Sequence, residues 1–128
     1  MATVNMTSEN FDQTLEENDI VILDFWAEWC GPCKMFGPIF EKASDAHPDV
    51  LFGKVNTEEQ QALAAAFGIR SIPTVAIFRE QIPIFSQPGM LPENALEEIL
   101  KQVKELDMEE VRAEYEKAMA EHEANAAH

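Results

Sequence analysis

Val21-Ile22-Leu23-Asp24-Phe25-Trp26-Ala27-Glu28-Trp29-Cys30-Gly31-Pro32-Cys33-Lys34 contains both cysteines and both tryptophans of the chain. Val21 to Ala27 reads as a β-strand whose side chains alternate between two faces. Val21, Leu23 and Phe25 lie on one face, and Ile22, Asp24 and Trp26 on the other. Both faces are apolar except at Asp24, which predicts a central strand covered on both sides. Cys30 and Cys33 fall where this strand gives way to a helix. Pro32 suits the first helical position, where its missing N–H has no partner to lose. Cys30 then sits just ahead of a helix N-terminus, facing unpaired N–H groups and the positive end of the dipole, which favour thiolate over thiol. The two intervening residues let Cys33 fold back onto the Cys30 sulfur. One cysteine can attack a disulfide, and the second can resolve the mixed disulfide.

The rest of the composition narrows the classes. A chain of 128 residues with 46% hydrophobic content is long enough for one domain with a single core, and too apolar for disorder. Its longest apolar runs are too short to span a bilayer. The opening Met1-Ala2-Thr3-Val4-Asn5 lacks a basic segment followed by an apolar one, so no secretory signal is expected and a cytoplasmic protein is predicted. In that compartment a Cys-x-x-Cys pair reads as catalytic before structural. A metal site would need more ligands. No second cysteine pair exists, and His47, His122 and His128 are scattered. The net charge of −15 opposes nucleic acid and anionic membrane as partners. No nucleotide-binding glycine motif is present, so no bound cofactor is expected.

Taken in order, residues 7 to 17 predict a first helix capped by Thr7 or Ser8, with Phe11 and Leu15 four apart. After the cysteines, Phe36, Phe40 and Ala43 share a helical face with Met35 and Ile39 beside it, and Pro38 should kink that helix. His47-Pro48 ends it. Val50 to Asn56 reads as a second strand carrying Lys54. Glu58 to Phe67 has helical composition and stops at Gly68. Thr74 to Phe78 is a strand, and Ile82 to Phe85 its antiparallel partner, placed at an edge by Pro83. A helix from Pro92 or Glu93 buries Leu96, Ile99, Leu100 and Val103. Strands alternating with helices, then a hairpin, indicate an α/β fold with a mixed sheet.

The run Asp-Phe-Trp-Ala followed by Trp-Cys-Gly-Pro-Cys-Lys resembles the thioredoxin family, and so does Gly68-Ile69-Arg70-Ser71-Ile72-Pro73-Thr74. The resemblance covers residues 1 to 106. It implies a thioredoxin fold, a central mixed β-sheet flanked by helices, and a protein disulfide reductase. Cys30 would be the nucleophile and Cys33 the resolving thiol, shielded and less exposed. Asp24 resembles the family's buried aspartate and would accept a proton from Cys33. Periodicity alone equally permits a strand aspartate bound to a backbone group. Lys54 resembles the lysine that pairs with that aspartate. Pro73 resembles the family's cis-proline, leaving the Ile72 backbone free to pair with an extended substrate. Trp29, Gly31, Pro32, Ile72, Pro73 and Gly89 would form the docking surface. The partners implied are protein disulfides and a flavin-containing, NADPH-dependent thioredoxin reductase.

Two stretches depart from the family pattern. Arg79-Glu80-Gln81, between the last two strands, lacks the usual glycine. Residues 107–128 form an acidic extension in which Met108, Val111, Tyr115 and Met119 recur at helical spacing over 108–120, behind a capping-box-like Asp107 and Glu110. This predicts an added C-terminal helix packed on its own domain, in a monomer. Two other readings are a holdase chaperone built on such a domain, and a dedicated redox or assembly partner recognised through the extension.

Overall fold

The computed structural model describes residues 2–126. Five strands form one mixed sheet in the order β1-β3-β2-β4-β5. They are β1 (Thr3–Asn5), β2 (Ile20–Trp26), β3 (Leu51–Asn56), β4 (Thr74–Arg79) and β5 (Ile82–Pro88). β2 is central, parallel to β3 and antiparallel to β4. The helices are α1 (Phe11–Glu17), α2 (Gly31–Ala46), α3 (Gln61–Ala66), α4 (Glu93–Glu105) and α5 (Met108–Ala126).

The alternation along β2 divides the core as predicted. Ile20 and Ile22 join Phe52, Val75 and Ile77 under Phe36 and Phe40 of α2 and Leu96, Leu100 and Val103 of α4. Val21, Leu23 and Phe25 meet Met6, Leu63 and Phe78 on the opposite face, with Phe11 and Phe67 edge-on to one another against them. Asp24 therefore belongs to the face that carries α2.

Several boundaries move for local reasons. The first helix begins at Phe11 and not at residue 7, and neither Thr7 nor Ser8 caps it. Instead the Thr7 N–H donates to Asn10 Oδ1 at 2.8 Å while the Asn10 N–H donates to Thr7 Oγ1 at 3.2 Å, closing a turn of their own. The third helix begins at Gln61 and not at Glu58, because Asn56 Oδ1 accepts from the N–H groups of Glu58 and Glu59 and holds that stretch as a turn. Gly68 stops it as expected. With φ +64, it donates to the Ala65 carbonyl while Ile69 donates to that of Ala64, a paired closure that needs a left-handed residue. β1 was not foreseen. It adds to β3 in parallel, with Thr3 opposite Phe52.

The β4–β5 turn adopts its tight geometry without glycine. Glu80 and Gln81 have φ +52 and +67, the signature of a two-residue type I′ turn. A side chain in that conformation costs roughly 1–2 kcal/mol relative to glycine. Gln81→Gly should therefore stabilise the protein by about 1 kcal/mol and raise Tm by a few degrees in a calorimetric scan. A fall in Tm would mean that the Gln81 side chain makes a contact worth more than the backbone cost.

Arg79, at the end of β4, ties the hairpin to the C-terminal helices. Its Nη1 donates to the carbonyls of Val103 and Leu106 at 2.8 and 3.1 Å, covering the open end of α4. Asp107 caps α5, accepting from the Glu109 N–H at 3.1 Å and the Glu110 N–H at 3.4 Å. Along α5 the apolar stripe is covered only at its start. Met108 is buried, Val111 and Tyr115 are half-buried, and Met119 is 41% exposed. Arg112 pairs with Glu80 of the β4–β5 turn.

Candidate active site

β2 ends at Trp26, and a short loop delivers the chain into α2 with Cys30 as its N-cap. Gly31 takes the first helical position and Pro32 the second, one later than the sequence suggested for the proline. The Cys33 N–H points at Cys30 Sγ, 3.2 Å away, so a backbone donor at the helix N-terminus faces the sulfur. The two cysteines are joined as a disulfide here, with their Cα atoms 5.2 Å apart. The Ile72–Pro73 peptide is cis, and the Ile72 carbonyl oxygen lies 3.6 Å from Cys30 Sγ. Gly89, at φ +96, donates its N–H to the Pro73 carbonyl at 2.8 Å, bringing the loop after β5 to the same place.

One expectation about the pair fails. Cys33 is not the less exposed partner: Cys30 is 4% exposed and Cys33 5%. Both are enclosed together with Ala27, Trp26 and Ile72. What differs is what each one faces. Cys33 lines a groove of about 580 Å³ with Trp26, Gly37, Glu41 and Lys54.

Asp24 is fully buried on the face that carries α2, and among the described residues neither of its oxygens has a hydrogen-bond partner. The reading of a strand aspartate bonded to backbone is thereby excluded. Burial pushes its carboxyl up to about 7, against the pull of Lys54 and with a smaller push from Glu41. Lys54 lies opposite Asp24 on the neighbouring strand, as the family pairing implied, but does not close an ion pair with it. Its Nζ rests 4.0 Å from Glu41 Oε1 and 5.0 Å from the centre of the Trp26 ring. Of the two carboxylates, it is Glu41 on α2 that comes within ion-pair reach of the ammonium.

The surface around Cys30 carries the expected apolar groups. Trp29 is 69% exposed, its indole N–H donating to Glu58 Oε1. Gly31, Pro32 and Gly89 are exposed, Ile72 is half-buried and Pro73 buried beneath them. Met35, expected beside the core face of α2, instead points outward and is 65% exposed. Glu41 and Glu58 were not singled out from the sequence. Glu41 could have been found, because Cys33, Gly37 and Glu41 recur every four residues and share one side of α2. Glu58 could not, since its approach to Trp29 depends on the turn made by Asn56.

Among the described residues there is no cluster of His, Cys, Asp and Glu that could hold a metal ion, and no helix long and apolar enough to cross a membrane. His128 lies outside the described residues, together with position 127 of the extension.

Comparison with known proteins agrees with this geometry. The thioredoxin family model matches residues 2–102. A protein of Streptomyces coelicolor called "Putative thioredoxin 2" is 59% identical over 125 residues, covering 98% of this chain and 90% of that protein. The match therefore takes in α5, which lies beyond the family model. The thioredoxin of Alicyclobacillus acidocaldarius is 40% identical, covering 80% of this chain and 98% of its own length. Among solved structures, a mutant thioredoxin from Halobacterium salinarum superposes with a TM-score of 0.76 at 32% identity, over 81% of this chain and 92% of that one. With the mixed sheet, the Cys-Gly-Pro-Cys helix start and the family match in agreement, this chain belongs to the thioredoxin family and is a thiol–disulfide oxidoreductase.

Proposed function

We propose that the protein works in the cytoplasm as a monomeric, general reductant of protein disulfides, with Cys30 as nucleophile, Cys33 as resolving thiol and Asp24 as proton acceptor. The Cys30 thiolate attacks one sulfur of a substrate disulfide. A Cys30–substrate disulfide forms, and the other substrate sulfur leaves as thiolate. Cys33 gives its proton toward Asp24, attacks Cys30 Sγ and expels the second substrate thiol. Two electrons pass to the substrate, and the Cys30–Cys33 disulfide remains. The family relationship supports regeneration by a flavin-containing, NADPH-dependent thioredoxin reductase. The observation that carries this reading is the setting of Cys30 Sγ, between the Cys33 N–H in the first turn of α2 and the Ile72 carbonyl. An extended substrate strand laid along Ile72, over Trp29, Gly31, Pro32, Pro73 and Gly89, would present its disulfide to that sulfur. Lys54 acts on this chemistry through its charge beside Asp24.

Residues 107–128 are assigned to stability and not to chemistry, because Met108 is the one buried residue of α5 among those described and the redox groups all lie within 1–106. The chain cut after Leu106 should retain NADPH-coupled insulin reduction with thioredoxin reductase. It should lose the burial of Met108, about 2 kcal/mol, for a fall in Tm of roughly 5–10 °C. Lost reduction in the cut chain would place the extension in the active site. Suppression of client aggregation by the double-serine variant, with no insulin reduction by the intact protein, would favour the holdase reading instead.

A further inference from the structure

Three charged side chains converge behind Cys33, one from each of three elements. Asp24 of β2 and Lys54 of β3 are opposite one another on parallel neighbours, so their side chains leave the same face from backbones about 4.8 Å apart. An ammonium at that spacing, with nothing else to bind, would close on the carboxylate. Here it is turned aside toward Glu41 and Trp26, and among the described residues neither Asp24 oxygen has a hydrogen-bond partner. Glu41 is itself held in place. Its Oε1 accepts from Thr3 Oγ1 of β1 at 2.7 Å, and the Ser44 hydroxyl donates to the Glu41 carbonyl at 2.5 Å. The same Ser44 oxygen accepts the Ala2 N–H at 3.2 Å, so the start of the chain is laced to α2 around this acid. Gly37, one turn before Glu41, lies beside the ammonium: a Cβ there would sit 4.0 Å from Lys54 Nζ, at ordinary contact distance.

We propose that Glu41 is a positioning residue for disulfide resolution: anchored by Thr3, it draws Lys54 away from Asp24 and keeps the aspartate free for the Cys33 proton. This rests on the role given to Asp24 above. The charged groups that act on Asp24 are Lys54 from β3 and Glu41 from α2. Val75, its partner on β4, and Leu96 and Leu100, which α4 contributes to that face, bring no charge. With Glu41 neutralised, Lys54 is released to pair with Asp24, and a cation within about 4–6 Å lowers a carboxyl by roughly 1–3 pH units.

The test is a carbon NMR titration of the Asp24 carboxyl in the reduced, full-length protein. Glu41→Gln keeps the shape of the side chain and an acceptor for Thr3. It should lower the Asp24 midpoint by about one pH unit. Glu41→Asp, which keeps the charge, should lower it less. In a Lys54→Met background, Glu41→Gln should move the midpoint by less than half as much, because no ammonium remains to be released. An equal shift in both backgrounds would make Glu41 a mere nearby charge, and no shift in either would remove it from the site. Both results overturn the proposal. The pH midpoint of mixed-disulfide decay should follow the NMR midpoint. If the carboxyl moves and the decay does not, the placement of Lys54 by Glu41 stands and the proton-acceptor role of Asp24 falls.

Discussion

Replacing Cys33 with serine leaves a protein that attacks a disulfide once and stays attached to it. Attack needs only Cys30, and the serine variant keeps the backbone N–H of residue 33 that faces this sulfur at 3.2 Å in the disulfide form. Release needs a second sulfur able to become a thiolate behind Cys30, and a serine hydroxyl stays protonated at neutral pH. Turnover in the insulin assay should fall by on the order of 10³-fold or more, the scale set by removal of other catalytic nucleophiles. Mixed disulfides with client proteins should accumulate on non-reducing gels and vanish on addition of dithiothreitol. Cys30→Ser should trap nothing. If Cys30→Ser traps clients and Cys33→Ser does not, the two roles are exchanged.

Asp24→Asn should slow release and, at neutral pH, raise stability. General bases contribute about 10²–10⁴-fold, so decay of a preformed mixed disulfide should slow by at least about 10²-fold while attack is nearly unchanged. The stability effect has a definite sign. The folded carboxyl titrates at about 7, and the unfolded one near ~3.9. Between those values the folded chain binds more protons than the unfolded, so wild-type stability falls as pH rises from about 4 to about 7 and is level above that. The whole loss is on the order of 4 kcal/mol. Asparagine does not titrate, although its buried amide has its own unpaired polar atoms, at about 1–3 kcal/mol at every pH. The variant should therefore match or trail wild type at pH 4 and exceed it at pH 8. Urea unfolding at both pH values measures the difference directly. A pH-independent difference would mean that Asp24 is already ionised and satisfied in the folded protein.

The parts of the structure that were legible were those written in local pattern. β2 announced itself through alternation, and its lone acid was visible because nothing else on either face was polar. The cysteines declared the start of α2, and Gly68 the end of α3. Elements held by side chains from elsewhere were less visible. β1 is three residues with an exposed Val4, and no burial pattern marks it; it exists because β3 offers a backbone to pair with. The late starts of α1 and α3 depend on Asn10 and Asn56 capturing N–H groups that helix propensity would have spent otherwise. Lys54 shows the same limit inside the site. Its place opposite Asp24 follows from strand pairing, but its direction is decided by Glu41, eight residues beyond Cys33 on another element.

The outer strands of the sheet carry a further consequence. β1 offers another chain only three residues, and β5 is interrupted by Pro83 and Pro88 and opposed by a register irregularity at Ile77 and Phe78. Neither gives the long, regular row of free N–H and C=O groups on which strands from separate molecules stack into aggregates. The charge of −15 adds repulsion between copies. A protein disulfide reductase works among chains prone to coalesce. Its sheet borders and its charge keep it from joining the deposit.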